Sequence, residues 1–201
     1  VVLDYHTGEL RAIVGGRGTP TIKKGLNRAQ SPSEVGSSIK PLAVYGPALD
    51  MGASPATIIK NFPCPIEGWD SEKGYPYIGS ESYIGPLTLR QGVVNSLNVA
   101  AARTLLEHVG FDNSANYLEL LGVDPSRISK TGSAMALGTT NITPIEMAAA
   151  YGAIANGGEY QEPLSFTRIV DESGKVILDA DEIREKHTVF KKSTAYMLVD
   201  I

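Results

Sequence analysis

With 201 residues, 42% of them hydrophobic, the chain is long enough to bury a sizeable core as one large domain or two small ones. Its 18 basic and 22 acidic side chains leave a net charge of -4, and no basic run is dense enough to neutralise a row of phosphates, which argues against nucleic acid as a partner. No stretch of about 18 predominantly apolar residues is present to span a bilayer, Cys64 alone forms no intrachain disulfide, and His6, His108 and His187 lack ligand spacing, so neither a metal nor a cofactor is expected.

The N-terminus opens "VVLDYHTGELRAIVGG" rather than with a signal region, so any anchoring segment is expected outside this chain. Its alternation breaks at Thr7-Gly8 and predicts a β-hairpin ended by Gly15-Gly16. Those two glycines lack the spacing and the following helix of a nucleotide loop. Residues 17–34 are polar and aperiodic and read as a surface connection. From Ser37, "SSIKPLAVYGPALDMG" has helical spacing, with Pro41 near the first turn and Gly52 as the stop. Residues 53–86 form a long Pro/Gly/aromatic stretch that holds Trp69, Tyr75, Tyr77, Tyr83 and Cys64, the last read as an unreactive thiol.

Two helices, Thr88–Asn95 and Val99–His108, then flank "SLN". "DNSANYLELLG" predicts a further helix capped by Asp112, with Ser114 and Asn116 read as capping residues. "TPIEMAAAYGAIANGG" carries a capping box, Thr143 and Glu146, with Pro144 at the first position and Gly157 at the end. "SFTRIVDESGKVILDA" reads as a second hairpin turning at Ser173-Gly174, and "KKSTAYMLVDI" as a helix.

A serine hydroxyl is a poor nucleophile near neutrality unless a base lies within hydrogen-bond reach. Ser37 and Lys40 are three apart and share a face if a helix begins there, and a lysine serves as base when its surroundings depress its basicity. Alone the string fits a capping serine and a solvated lysine better. Ser96 and Asn98 add a hydroxyl and an amide on a turn between helices, placed to relay a proton and to orient a peptide group.

Taken together, "VGSSIKPLAVYGPALDMG", "YIGPLTLRQGVVNSLNVAAARTL" and "SAMALGTTNITPIEMAAAYGAIANGG", in this order and spacing, resemble the transpeptidase domain of class A penicillin-binding proteins over essentially the whole chain. The resemblance implies an α/β fold of the β-lactamase/transpeptidase type: a five-stranded, mainly antiparallel sheet with a helical subdomain and a cleft between them. It implies a peptidoglycan DD-transpeptidase in which Ser37 is the nucleophile, Lys40 the general base, Ser96 a proton relay and Asn98 a substrate-binding residue. Expected partners are peptidoglycan stem peptides and β-lactams, and the expected site of action is the extracytoplasmic face of a bacterial membrane, with a glycosyltransferase domain upstream. A serine carboxypeptidase, a β-lactamase and a non-catalytic β-lactam-sensing module are the alternatives. S-L-N stands here where class A β-lactamases have S-D-N.

The family also requires K-[TS]-G on a strand. "KTG" occurs once, Lys130 to Gly132, but its flanks lack strand alternation, and Lys130 is read as a solvated loop residue. An isolated hairpin is marginal in water and the terminal helix has an apolar face. Residues 1–201 are therefore expected to be an incomplete transpeptidase domain lacking its C-terminal strands, with a complementary C-terminal fragment as a further partner.

Overall fold

A computed structural model describes residues 1–19, 22–63 and 83–201. Cys64, Trp69, Tyr75 and Tyr77 lie outside the described residues. The chain opens with β1 (Val2–Leu3) and β2 (Leu10–Ala12), an antiparallel pair. The Gly8 amide donates to the Asp4 carbonyl at 2.7 Å inside the expected hairpin turn. The connection after it is more ordered than its composition suggests. Asn27 caps a short 3-10 turn, Arg28–Gln30, and β3 (Ser33–Glu34) pairs with residues 141–142. A two-residue strand is too short to leave an alternating pattern in sequence.

The run from 36 to 50 is helical throughout but changes gauge twice. Gly36–Ile39 is a 3-10 turn, Pro41–Tyr45 a wide π turn, and α1 (Gly46–Asp50) completes it. Proline is the cause of the first change. Pro41 has no N–H to give the Ser37 carbonyl an ordinary i+4 bond, so that carbonyl takes the Lys40 amide in a tighter i+3 bond. Ile39 and Leu42 to Tyr45 are fully buried, and the rest of the core packs around them. Gly52, with φ of +111°, ends the run as expected.

Residues 53–86 are not all loop. β4 (Ile58–Asn61) pairs with β5 (Gly85–Thr88), and alternate β4 residues, Ile59 and Asn61, are buried. A capping box of Thr88 and Gln91 then starts α2 (Leu89–Val94). After a turn, α3 (Asn98–Thr104) runs into a wide turn, Leu105–Val109, and Gly110 at φ +79° leads into α4 (Phe111–Leu120). Two sequence readings fail in α4. Its cap is Gly110 rather than Asp112, which lies in the first turn. Ser114 is no capping residue: buried, it donates to the Ala43 carbonyl at 2.7 Å and ties α4 to the central run. A cap and an interhelix bond ask for the same small hydroxyl, so the sequence does not separate them.

β6 (Asn141–Ile142) precedes α5 (Pro144–Ala155), which has the predicted capping box and proline and is followed by Gly157 at φ +66°. Ala149, Ala150 and Ala153 let α5 approach the core closely. The remainder comprises β7 (Glu159–Gln161), β8 (Arg168–Val170), β9 (Val176–Asp179), α6 (Ala180–Ile183), β10 (Lys186–Thr188) and α7 (Lys192–Asp200). β8 and β9 form the second predicted hairpin; β7 pairs with β10. Among the described residues the strands make five two-stranded antiparallel ladders around a helical core, with β1 and β2 the two sheet strands expected from this chain. No helix of the described residues is long and apolar enough to cross a membrane.

Candidate active site

The three sequence motifs differ in what they become. Lys40, only 2% exposed, extends its ammonium from the start of the central run to the turn between α2 and α3. Its Nζ lies 2.7 Å from the Ser96 carbonyl, 2.7 Å from Asn98 Oδ1 and 3.3 Å from Ser96 Oγ. The structure thus brings Lys40, Ser96 and Asn98 together across 56 to 58 residues of sequence.

The turn that meets Lys40 is strained. Ser96 has φ of +51°, a left-handed conformation that costs a non-glycine residue on the order of 1 kcal/mol. It is held there because its amide donates to Val93 O at 2.9 Å and the next amide, Leu97, to Gly92 O at 3.0 Å, closing the C-terminus of α2. That backbone turn presents both the carbonyl and the hydroxyl of Ser96 to the lysine. Asn98 follows as the first residue of α3, with its amide oxygen turned the same way.

Ser37 lies one 3-10 turn before Lys40 and is exposed, whereas Lys40 is buried. The tight turn brings Lys40 back toward the side of the run that carries Ser37. The neighbouring serine is otherwise engaged: Ser38 Oγ donates to the Val35 carbonyl at 2.6 Å. The turn is docked from behind by Gly138, whose carbonyl accepts from the Val35 amide at 3.1 Å and the Gly36 amide at 3.0 Å. Gly138 is left-handed at φ +81°, and a Cβ there would sit 1.9 Å from Gly36 O, so only glycine fits. The sequence signal for it is slight: a glycine closing "SAMALG", as at any helix end.

The contacts of Lys40 serve both states of a base. A carbonyl and an amide oxygen accept but do not donate, so each takes an N–H from either the neutral amine or the ammonium. The hydroxyl can do both, accepting the third ammonium hydrogen or donating to the amine lone pair. An amine held in this way can take up and release a proton without repacking.

Elsewhere the sequence candidates disperse. Lys130 is on no strand; it is exposed and paired with Asp112 at 2.5 Å. Gly15 is glycine because Asn27 packs on it, a Cβ meeting Asn27 Oδ1 at 2.3 Å. A concavity of about 690 Å³ lined by residues 13–19, 22 and 24–28 has none of Ser37, Lys40, Ser96 and Asn98 in its wall. Sequence reasoning also missed two polar junctions. Arg127 forks onto the Glu146 carboxylate, which it shares with the Thr143 cap, and also reaches the Asn141 carbonyl at 3.2 Å. Burial pushes the Glu146 carboxyl up, but Arg127 and the Thr143 bonds outweigh it and hold the group below the usual range. The other junction is Asp50, at the far end of the central run.

The sequence model of the penicillin binding protein transpeptidase domain matches residues 1–201. The chain belongs to the penicillin-binding protein transpeptidase family. Penicillin-binding protein 1A of Clostridium acetobutylicum is 36% identical over 213 residues, covering 100% of this chain and 26% of the relative. That of Escherichia coli is 35% identical over 184 residues, covering 90% of this chain and 21% of its own length. Among solved structures, penicillin-binding protein 1A of Haemophilus influenzae aligns with a TM-score of 0.66 at 34% identity over 81% of this chain and 24% of that one. PonA1 of Mycobacterium tuberculosis in complex with penicillin V aligns with a TM-score of 0.76 at 25% identity over 96% of this chain and 51% of that one. The fold of this transpeptidase chain is therefore the α/β transpeptidase type. The chain spans about a quarter of the length of the curated relatives it matches.

Proposed function

We propose that the chain carries the nucleophile half of a peptidoglycan DD-transpeptidase, with Ser37 attacking, Lys40 as its base, Ser96 relaying a proton and Asn98 holding the substrate peptide. The observation that carries this reading is Lys40 Nζ held between Ser96 and Asn98, one 3-10 turn beyond an exposed serine. As Ser37 Oγ bonds to the carbonyl carbon of the D-Ala-D-Ala amide, its proton passes to the Lys40 amine. The amide C–N bond breaks, and the departing D-Ala nitrogen takes a proton handed on through the Ser96 hydroxyl. An amine of a second stem peptide then attacks the acyl ester, gives up its proton along the same path and restores the Ser37 hydroxyl.

On this reading β-lactams acylate Ser37, in keeping with the solved complex of the similar protein PonA1 with penicillin V. The work is done on the outer face of a bacterial membrane. The relatives carry this segment within one longer chain, which does not support the expected separate complementary fragment as a partner.

The test is labelling of the full-length protein with a fluorescent penicillin followed by peptide mapping. The label is expected on Ser37 and absent from Ser37→Ala; a label on any other residue rejects the assignment. Slow release of the label distinguishes a transpeptidase from a β-lactamase, which turns it over rapidly.

A further inference from the structure

Tyr151 makes a contact that neither the core nor the proton path requires. It stands on α5, 39% exposed, and its hydroxyl donates to the Ser38 carbonyl at 2.8 Å, across 113 residues of sequence. A tyrosine at a surface can leave its hydroxyl to water, so burial does not force this bond. Partial burial raises the phenol above its ordinary value, which keeps it a donor at neutral pH.

The bond falls on the carbonyl of the residue that follows Ser37. Upstream, the turn is fixed by Gly138 through the Val35 and Gly36 amides and by Ser38 Oγ on the Val35 carbonyl. Within it, the Ser37 carbonyl is committed to the Lys40 amide. The Ser38 carbonyl is the point at which a second element, α5, reaches in. Geometry gives the contact its weight. The 3-10 turn brings Lys40 one full turn on from Ser37, so a shift of the Ser38 carbonyl between them moves the serine relative to the lysine.

We propose that Tyr151 is a positioning residue for acyl transfer: its hydroxyl, bonded to the Ser38 carbonyl, holds the 3-10 turn that carries Ser37 one turn before Lys40. The proposal rests on Ser37 being the nucleophile. It assigns Tyr151 no contact with substrate and no share in the proton path, so removing its hydroxyl slows the chemical step and spares ligand binding.

The experiment is fluorescent-penicillin acylation of the full-length protein over a range of concentrations, which separates the saturation constant from the limiting rate. Tyr151→Phe is expected to lower the limiting rate about five- to tenfold, the scale of one neutral hydrogen bond, and to leave the saturation constant within about twofold. Replacing Tyr151 with p-aminophenylalanine, which returns an N–H donor to the same place, restores the rate. Replacing it with p-methylphenylalanine, which fills the space without donating, does not. That matched pair decides the question even if Tyr151→Phe fails to fold. An unchanged limiting rate per folded molecule in Tyr151→Phe, or equal rates in the amino and methyl proteins, overturns the proposal. No labelling of Ser37 in the unsubstituted protein overturns the acyl-transfer reading, and this inference with it.

Discussion

The central helical run carries a charge at each end, and the two ends have opposite characters. At its far end Asp50 accepts from the Lys191 amide at 2.9 Å, Thr194 Oγ1 at 2.7 Å and the Tyr117 hydroxyl at 2.8 Å, so one carboxylate joins α1 to α4 and to the start of α7. Burial pushes this carboxyl up, but the bonds from Thr194, the Lys191 amide and Tyr117 outweigh it and leave the group below the usual carboxylate range. These partners are relaxed ones, and no neighbouring residue is forced into a rare conformation to supply them. At the near end Lys40 is met by a residue held left-handed, by a hydroxyl at a looser 3.3 Å and by an exposed serine on the adjacent turn. A hydrogen-bonded ionisable group at a helix end is therefore no marker of function by itself. Strain in its partners and an exposed serine on the adjacent turn are what set the Lys40 end apart.

The largest expected effect breaks that comparison most directly. Lys40→Met leaves a side chain of similar length without the base and is expected to lower the penicillin acylation rate by about a thousandfold or more, with the protein still folded. Asp50→Ala is expected to leave acylation per folded molecule close to that of the unsubstituted protein. Equal losses in the two proteins would show that the ends are not functionally distinct. Gly138→Ala comes next, because a Cβ placed 1.9 Å from Gly36 O forces the loop away from the nucleophile turn. A loss of about 2 to 4 kcal/mol in unfolding free energy is expected, measured by denaturant titration.

Asp50→Ala ranks below it, at about 1 to 3 kcal/mol, the range for leaving hydrogen-bond donors without their acceptor. The pH dependence sharpens the test. Because the folded-state value is depressed, the contribution of Asp50 is present above the ordinary carboxylate range and is lost as pH falls through the lower folded value. The stability gap between the unsubstituted and Asp50→Ala proteins should therefore narrow on acidification. A gap that widens in acid would show that the carboxylate is not what α7 and Tyr117 hold.

What the sequence makes legible follows the range of the forces involved. The capping box at Thr143, the Gly52 stop and both hairpins are read from residues within a few positions of one another, and the structure contains them. The pairings of β3 with β6 and β4 with β5 were missed because each strand is two to four residues long and its partner distant. The site divides in the same way. Ser37 to Lys40 is a local spacing, legible once Pro41 is seen to force a tight turn. The meeting of Lys40 with Ser96, the Gly138 dock and the Asp50 junction depend on chain crossings that no periodicity records.

Lys130 supplies the smallest effect and the control for motif reading. A lysine of a carboxylate-binding K-T-G would sit on a strand beside Lys40, and its loss would weaken binding of any ligand with a carboxylate in that place. This one is 56% exposed, in a loop, and paired with Asp112, itself 84% exposed. Two side chains so open to water gain little from one another, since solvent and salt screen them. Lys130→Ala is therefore expected to change stability by no more than about 0.5 kcal/mol and to leave both the saturation constant and the limiting rate of penicillin labelling where they were. A several-fold rise in the saturation constant would return Lys130 to the site and with it the reading of "KTG" as a functional motif. Unchanged labelling, set beside the collapse expected in Lys40→Met, would show that of two lysines in motif-like strings the fold uses only the one it buries.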